Sequence, residues 1–387
     1  MKIALLIENL GSGGAERQLC TLALEFQQRG HDVRIITYSS GNFYSPTADN
    51  HCLQNFTLPG KTRFERILSV RRYLRESDQD VVLAFLQGPC VYAELASLPS
   101  RRWGLVVSER VAVPKASKKL AFQRMLHLLA DFVITNSHAN RLLIEHAVHR
   151  LRGKVATIYN AVDLEQFRPN VGEGCTNGAL RFVVASSYQH RKNMVGLIES
   201  IALLKREMPK TTLIVDWYGD VLPDNKIDLE NAVQLAHQLK IDDRFRLNPA
   251  TRNIIAEYQN ADAVVLASFY EGLPNTICEA MACGKPVLMS AVCDAGNLVK
   301  EGINGFLFDP FSPPSIAEAI KKFVCLSQEN RRALGMCGRK MAESLFDVKV
   351  VADRYLEVLR AAAKREKIKI FHDDANIPET AHKMMPR

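Results

Sequence analysis

The chain has 387 residues, 47% hydrophobic and 24% charged, with a net charge of +8. Such a length exceeds one ordinary core and suits two domains, and the balance is that of a soluble globular protein rather than a disordered or fibrous one. No apolar run approaches the length of a membrane-spanning helix, and the N-terminal run is too short for a signal peptide. Nine cysteines occur without a Cys-x-x-Cys pair or zinc spacing, which suits reduced thiols in a cytoplasm. The charge is uneven: residues 1–172 hold 22 basic and 15 acidic residues, the remainder 28 and 27.

Taken in chain order, the front half alternates short apolar runs with helical stretches. Strands are expected at Ile3–Ile7, Val33–Thr37, Val81–Phe85, Leu105–Val107, Phe132–Thr135 and Val155–Tyr159. This βα series implies a parallel sheet covered on both faces. The first strand runs into Asn9-Leu10-Gly11-Ser12-Gly13-Gly14-Ala15-Glu16, whose glycines let backbone approach a ligand where a helix begins near Ala15. No Gly-Lys-Ser/Thr follows, so it is not a P-loop. A third glycine is missing and the second strand ends without an acid for a ribose diol, so a dinucleotide fold is not indicated.

Two segments concentrate the basic excess, Lys61–Arg75 and Lys115–Leu126. Both alternate basic and apolar residues at helical spacing, as in helices that rest on an anionic lipid surface; a solvated helix face reads equally well. Nucleic acid fits less well, because the basic residues are not interleaved with exposed aromatics. Asp78-Gln79-Asp80 precedes a strand and reads as a surface turn, so no metal is implied. His31, His127, His138, His146 and His149 lack ligand spacing and read as packing or surface residues.

Residues 169–180 are rich in glycine and polar residues and read as a linker. A second series of strands is expected at Phe182–Ala185, Thr212–Trp217, Phe245–Leu247, Ala263–Leu266, Pro286–Ser290 and Gly305–Phe308. The domains are therefore 1–172 and 179–347, with a helix at 348–366 and a loosely held tail at 367–387. The most informative stretch follows the apolar run 262–268. There Glu271 sits in a loop, Pro274 suits the first turn of a helix, and Glu279 lies among small apolar residues before a stop at Gly284. A helix N-terminus at the carboxyl end of a parallel strand is a ready phosphate site. With two acids beside it, it makes a socket for a polyhydroxylated, phosphorylated ligand. The alternative is a solvated loop acid and a helix acid paired with a lysine.

Together these features resemble the retaining glycosyltransferases of family 4, over about residues 1–365. The carriers are Gly13-Gly14-Ala15-Glu16-Arg17, similar to a signature of a polysaccharide-assembly (O-antigen) branch, Ser108-Glu109-Arg110, Ile158–Asp163 with Phe167-Arg168-Pro169, and Asn304–Phe308. The strongest is the Glu-x7-Glu pair Glu271 and Glu279 with Ala280–Val287. The resemblance implies a GT-B fold: two doubly wound, Rossmann-like α/β domains facing across a cleft, the last helix returning to the front domain. It implies that Glu271 binds hydroxyls of the donor sugar and that Glu279 accepts from the nucleotide ribose. Backbone around Gly272, Leu273, Pro274, Asn275 and Thr276 would hold sugar and diphosphate, with Lys192 and Arg191 neutralising the leaving group. Arg252 lies in the loop 248–253 expected to contact the base. Gly13, Gly14 and Arg110 fall on the acceptor side, and Glu109 stands near where many members carry a histidine. With Glu271 and Lys192 it completes the catalytic set the resemblance implies, positioning the acceptor; the alternative is that it simply pairs with Arg110. An arginine common after the first strand of the rear domain is absent here, where Ala185-Ser186-Ser187 stand.

The implied activity is transfer of a hexose or N-acetylhexosamine, with retention and without metal or cofactor, from a nucleotide sugar (UDP favoured over GDP). The implied acceptor is a growing or polyprenyl-pyrophosphate-linked glycan in bacterial surface polysaccharide (lipopolysaccharide, O-antigen) synthesis. The protein would be cytoplasmic and peripheral on the inner membrane. The alternatives are a sugar-nucleotide epimerase of the same fold and a non-catalytic nucleotide-sugar binder.

Overall fold

The computed structural model describes residues 1–11, 13–41, 53–110, 117–170, 178–221 and 225–367. Lys115, most of the linker, and the tail from residue 368 lie outside them. The chain divides into two compact units. One is Met1–Ala161 joined by the chain from Phe346, and the other is Val162–Leu345. The division falls at Val162, ahead of the glycine-rich segment.

The first unit is built on seven parallel strands. They are β1 (Lys2–Leu6), β2 (Asp32–Thr37), β3 (Gln54–Thr57), β4 (Val81–Phe85), β5 (Gly104–Glu109), β6 (Phe132–Thr135) and β7 (Val155–Thr157), in spatial order β3-β2-β1-β4-β5-β6-β7. The central runs are buried on both faces, as a parallel sheet requires. The edge strand β3 was missed in the sequence, because Gln-Asn-Phe-Thr is exposed along its length and carries no apolar run. The last helix, Val348–Lys364, packs Tyr355, Leu356 and Leu359 into the core of this unit. Gly104 makes that approach possible, since a Cβ there would lie 2.4 Å from the carbonyl carbon of Ala362.

The second unit carries six parallel strands. They are β8 (Leu180–Ala185), β9 (Leu213–Gly219), β10 (Phe245–Pro249), β11 (Ala263–Leu266), β12 (Val287–Ser290) and β13 (Gly305–Phe308), in order β10-β9-β8-β11-β12-β13. Trp217 anchors its core, stacked on Tyr188 and tilted against Phe245, and its indole N–H donates to the Ser186 carbonyl at 2.7 Å. In both units the strand order reverses at one point, between β1 and β4 and between β8 and β11. Ligands of doubly wound sheets bind at the carboxyl ends flanking such a reversal. The glycine loop leaves β1. Lys192 follows β8, and Glu271 follows β11.

Asp78-Gln79-Asp80 lies at the opposite, amino edge of the first sheet. Asp78 pairs with the Lys2 ammonium, and Asp80 accepts from the Lys2 N–H at 2.7 Å.

Candidate active site

The second unit brings Glu271, Lys192 and Arg191 together across the β8/β11 reversal. After β8 the chain makes a short 3-10 turn, His190–Lys192, and then enters the Met194–Glu207 helix through Asn193. Asn193 adopts the left-handed conformation (φ 59°), which asparagine tolerates. Its buried side chain accepts from the Gly196 N–H at 3.1 Å and donates to the Pro310 carbonyl at 2.7 Å. The exit of the turn is thus fixed, and the Phe269 N–H ties the turn to the next loop through the Arg191 carbonyl at 2.9 Å.

Glu271 is nearly buried and its carboxylate is fully engaged. Lys192 Nζ pairs with Oε1, Ser268 Oγ donates to Oε1 at 2.7 Å, and Arg191 lies 3.4 Å from Oε2. Burial pushes the Lys192 ammonium below the ordinary lysine value, with the Glu271 charge opposing that shift and Arg191 adding to it. A cation in this position gains from any additional negative charge brought beside it.

The Asn275–Ala282 helix starts one residue later than expected. Pro274 occupies the cap position in extended conformation rather than the first turn (φ −77°, ψ 101°). Its predicted stop holds: Gly284 has φ 67° just past the last turn. Thr276 does not cap the helix; its hydroxyl donates to the Ala185 carbonyl at 2.8 Å and ties the helix start to β8. Glu279 is 6% exposed and accepts from the Tyr258 hydroxyl at 3.3 Å. The helix's far end is capped from another element, because Arg339 donates to the Ala282 carbonyl at 2.6 Å. Gly272 is half-buried, Leu273 and Pro274 are buried, and Arg252 is exposed on the turn after β10.

The first unit gives Glu109 and Arg110 partners other than each other. Glu109 is 2% exposed. Its carboxylate takes two N–H groups of Arg124 (2.6 and 3.2 Å to Oε1) and lies 3.4 Å from His127 Nε2. His127 Nδ1 is 2.5 Å from Glu94 Oε1. The imidazole is therefore clamped between two buried carboxylates. Burial alone would neutralise it, but Glu109 and Glu94 outweigh that cost and raise its pKa to about 9. Glu109 is held below the usual range because His127 and Arg124 overcome its own burial. Arg110 turns to the other face of the sheet. It bonds Asn160 and the Tyr355 hydroxyl (3.0 Å) and lies 4.7 Å over the Phe85 ring. Two expectations are thereby corrected: Glu109 does not pair with Arg110, and Arg124 is a buried ion-pair partner rather than part of a basic surface. The signal that could have found the cluster is the helical spacing of Arg124 and His127, but no local pattern points to Glu94, which lies 33 positions from its partner.

At the glycine loop, Asn9 Oδ1 accepts from the Gly11 N–H at 2.8 Å, and Gly13 precedes the Gly14–Gln28 helix with no side-chain cap. Gln18 then bonds both backbone groups of Ala161 (2.6 and 2.7 Å), which fixes the helix start to the segment after β7.

Two family models match the chain: "Glycosyltransferase Family 4" over residues 12–166 and "Glycosyl transferases group 1" over residues 176–341. The chain belongs to glycosyltransferase family 4. Among relatives of this glycosyltransferase is the Campylobacter jejuni GalNAc-alpha-(1->4)-GalNAc-alpha-(1->3)-diNAcBac-PP-undecaprenol alpha-1,4-N-acetyl-D-galactosaminyltransferase. It is 25% identical, covering 93% of this chain and 98% of the relative. A second Campylobacter jejuni enzyme, an N-acetylgalactosamine-N,N'-diacetylbacillosaminyl-diphospho-undecaprenol 4-alpha-N-acetylgalactosaminyltransferase, is 23% identical over 91% and 98% of the two chains. Among solved structures, a Rickettsia africae glycosyltransferase superposes with a TM-score of 0.83 (17% identity, 94% and 99% covered). Anabaena HepE, solved with UDP and glucose, superposes at 0.79 (21% identity, 93% and 100% covered). The fold is GT-B.

Proposed function

We propose that this family 4 enzyme transfers a hexose or N-acetylhexosamine, with retention and without a metal, from a UDP-sugar to a polyprenyl-pyrophosphate-linked glycan in bacterial surface polysaccharide assembly. The observation that carries the reading is the Glu271–Lys192–Arg191 junction at the β8/β11 reversal, beside the Asn275–Ala282 helix start. Departure of a nucleoside diphosphate builds negative charge, which fixed cations and a helix N-terminus stabilise. Lys192 and Arg191 are both within reach of one carboxylate. An incoming diphosphate would compete for them and release Glu271 to accept from sugar hydroxyls. Glu279 would take the ribose diol, and Arg252 would face the base. The acceptor hydroxyl would attack the face the diphosphate leaves. The N–H groups at Gly13 and Gly14, which open an uncapped helix, would receive an acceptor phosphate. Glu109 and Arg110, both committed inside the first unit, would shape the acceptor side from beneath. The two Campylobacter relatives act, by their names, on undecaprenol-diphosphate-linked glycans, and HepE was solved with UDP; both support the choice of donor and acceptor.

The test incubates the protein with a panel of nucleotide sugars, with and without an undecaprenyl-pyrophosphate glycan, in EDTA. Acceptor-dependent release of UDP and an axial anomeric product from an axial donor are expected. Interconversion of the nucleotide sugar without acceptor would replace the reading by an epimerase, and nucleotide binding with no release would replace it by a binder.

A peripheral membrane location is part of the proposal. No helix among the described residues is long and apolar enough to cross a membrane. Yet the Arg63–Glu76 and Lys118–Leu126 helices expose Phe64 (69%) and Phe122 (63%) beside Arg63, Arg72, Lys118 and Lys119. Exposed apolar rings among cations suit the headgroup boundary of an anionic leaflet. In sedimentation with phosphatidylglycerol vesicles, Phe64→Ser with Phe122→Ser is expected to weaken binding about tenfold relative to the parent. Equal binding of both proteins, or no preference over phosphatidylcholine, would remove the membrane from the reading.

A further inference from the structure

We infer that Cys293 is a positioning residue that sets the Glu271 turn through a reciprocal thiol–backbone clamp. The inference rests on the proposed role of Glu271 and goes beyond it by naming what holds that residue in place. Cys293 follows β12, the neighbour of β11, so the two residues emerge at the carboxyl ends of adjacent parallel strands. The Glu271 N–H donates to Cys293 Sγ at 3.3 Å, and the Cys293 thiol donates to the Glu271 carbonyl at 2.6 Å. One side chain therefore satisfies both backbone groups of one residue, as a neighbouring strand would. Ordinary strand pairing stops short of this point: β11 ends at Leu266 and β12 at Ser290.

The backbone of Cys293 supports the same conclusion. It has φ 52°, a left-handed conformation that a residue with a Cβ rarely adopts. Such conformations persist where surrounding bonds over-determine them, and they collect at functional sites. The surrounding turn is fixed independently. The Ala291 N–H donates to the Phe308 carbonyl at 2.7 Å, the Ala295 N–H donates to the Val292 carbonyl at 3.0 Å, and Asp294 is buried at the start of the next short helix. Burial drives the thiol pKa up to about 12, so it remains a proton donor at neutral pH. A glycine would relax the backbone at this position and lose the clamp. The chain instead keeps a residue that can both donate and accept.

Geometry at the reacting sugar is where a small displacement costs most. Three variants separate a positioning role from a merely structural one. C293A removes both bonds, C293S can remake them through a hydroxyl, and C293G removes them while relieving the backbone. The expected result is a fall in kcat of about 10- to 100-fold in C293A and C293G, with little change in UDP affinity. C293S should recover to within about threefold of the parent. C293G should melt no lower than the parent, so its lost activity cannot follow from lost stability. Hydrogen exchange at the Glu271 amide gives a readout independent of turnover: faster in C293A and C293G, parental in C293S. Parental kcat together with parental exchange in C293G would overturn the clamp. Should the parent protein transfer no sugar at all, the functional reading would fall, and the exchange rates would still decide whether the clamp exists.

Discussion

Glu271→Gln is expected to lower kcat/KM for sugar transfer about a thousandfold while the protein remains folded, the loss found when a group that meets charge or hydroxyls in the transition state is removed. The substitution keeps the shape of the side chain and its capacity to accept from Ser268, so the turn is retained. It removes the charge that neutralises Lys192. UDP affinity should therefore rise a few-fold in the same variant, because the cation no longer has an intramolecular rival. Lys192→Ala should behave in the opposite sense toward nucleotide, weakening UDP about tenfold and slowing transfer about 100-fold. Titration calorimetry with UDP and steady-state kinetics distinguish the two. Turnover at the parental rate in Glu271→Gln would remove the site from the mechanism. Unchanged UDP affinity in both variants would remove the exchange of partners.

The second large effect lies in the first unit. Glu109→Ala leaves Arg124 a buried cation without its carboxylate and His127 with Glu94 alone, a change that costs about 3–5 kcal/mol. For a unit of this size that corresponds to a fall in melting temperature of roughly 6–20 °C. Loss of activity in this variant should follow the loss of fold, which distinguishes it from Glu271→Gln. The same cluster has a pH signature. His127 has a folded pKa of about 9 against an ordinary 6.5. A raised pKa of a cation contributes stability that is fully present below 6.5 and is lost as pH rises through 9. The shift is equivalent to on the order of 3 kcal/mol. The groups facing the imidazole are Glu94, Glu109 and, through Glu109, Arg124. Melting temperature should fall between pH 6.5 and 9 in the parent and change much less in His127→Gln over that window. Parallel pH profiles would show that the imidazole is neutral in the fold.

Both sites show why part of the arrangement was legible from the amino-acid order and part was not. The parallel strands read directly from their apolar runs, because a strand buried on both faces leaves a continuous hydrophobic signature. The edge strand β3 carries none. Glu271, Glu279, Lys192 and Arg191 were found because glycine, proline and helix-start residues punctuate the chain around them. Their partners were not. Ser268 was passed over as the end of an apolar run, Tyr258 lies 21 positions from Glu279, and Cys293 lies 22 positions from Glu271. The basic helices illustrate the converse error. Lys118 and Arg124 look alike in a charge pattern, yet one is exposed and the other is buried against Glu109.

By itself the amino-acid order determined the βα alternation, the two nucleotide-fold halves, the Glu271–Glu279 motif and the stop at Gly284. These depend on periodicity and on residues whose conformational preferences act within a few positions. Only the tertiary structure decided which charges are paired. It paired Glu109 with Arg124 and His127 rather than with Arg110, joined Lys192 to Glu271 across the strand reversal, and brought Cys293 against the Glu271 backbone. Pairing of that kind is set by which strands become neighbours, and parallel neighbours are joined by long crossovers, so groups that meet at strand ends come from distant parts of the chain.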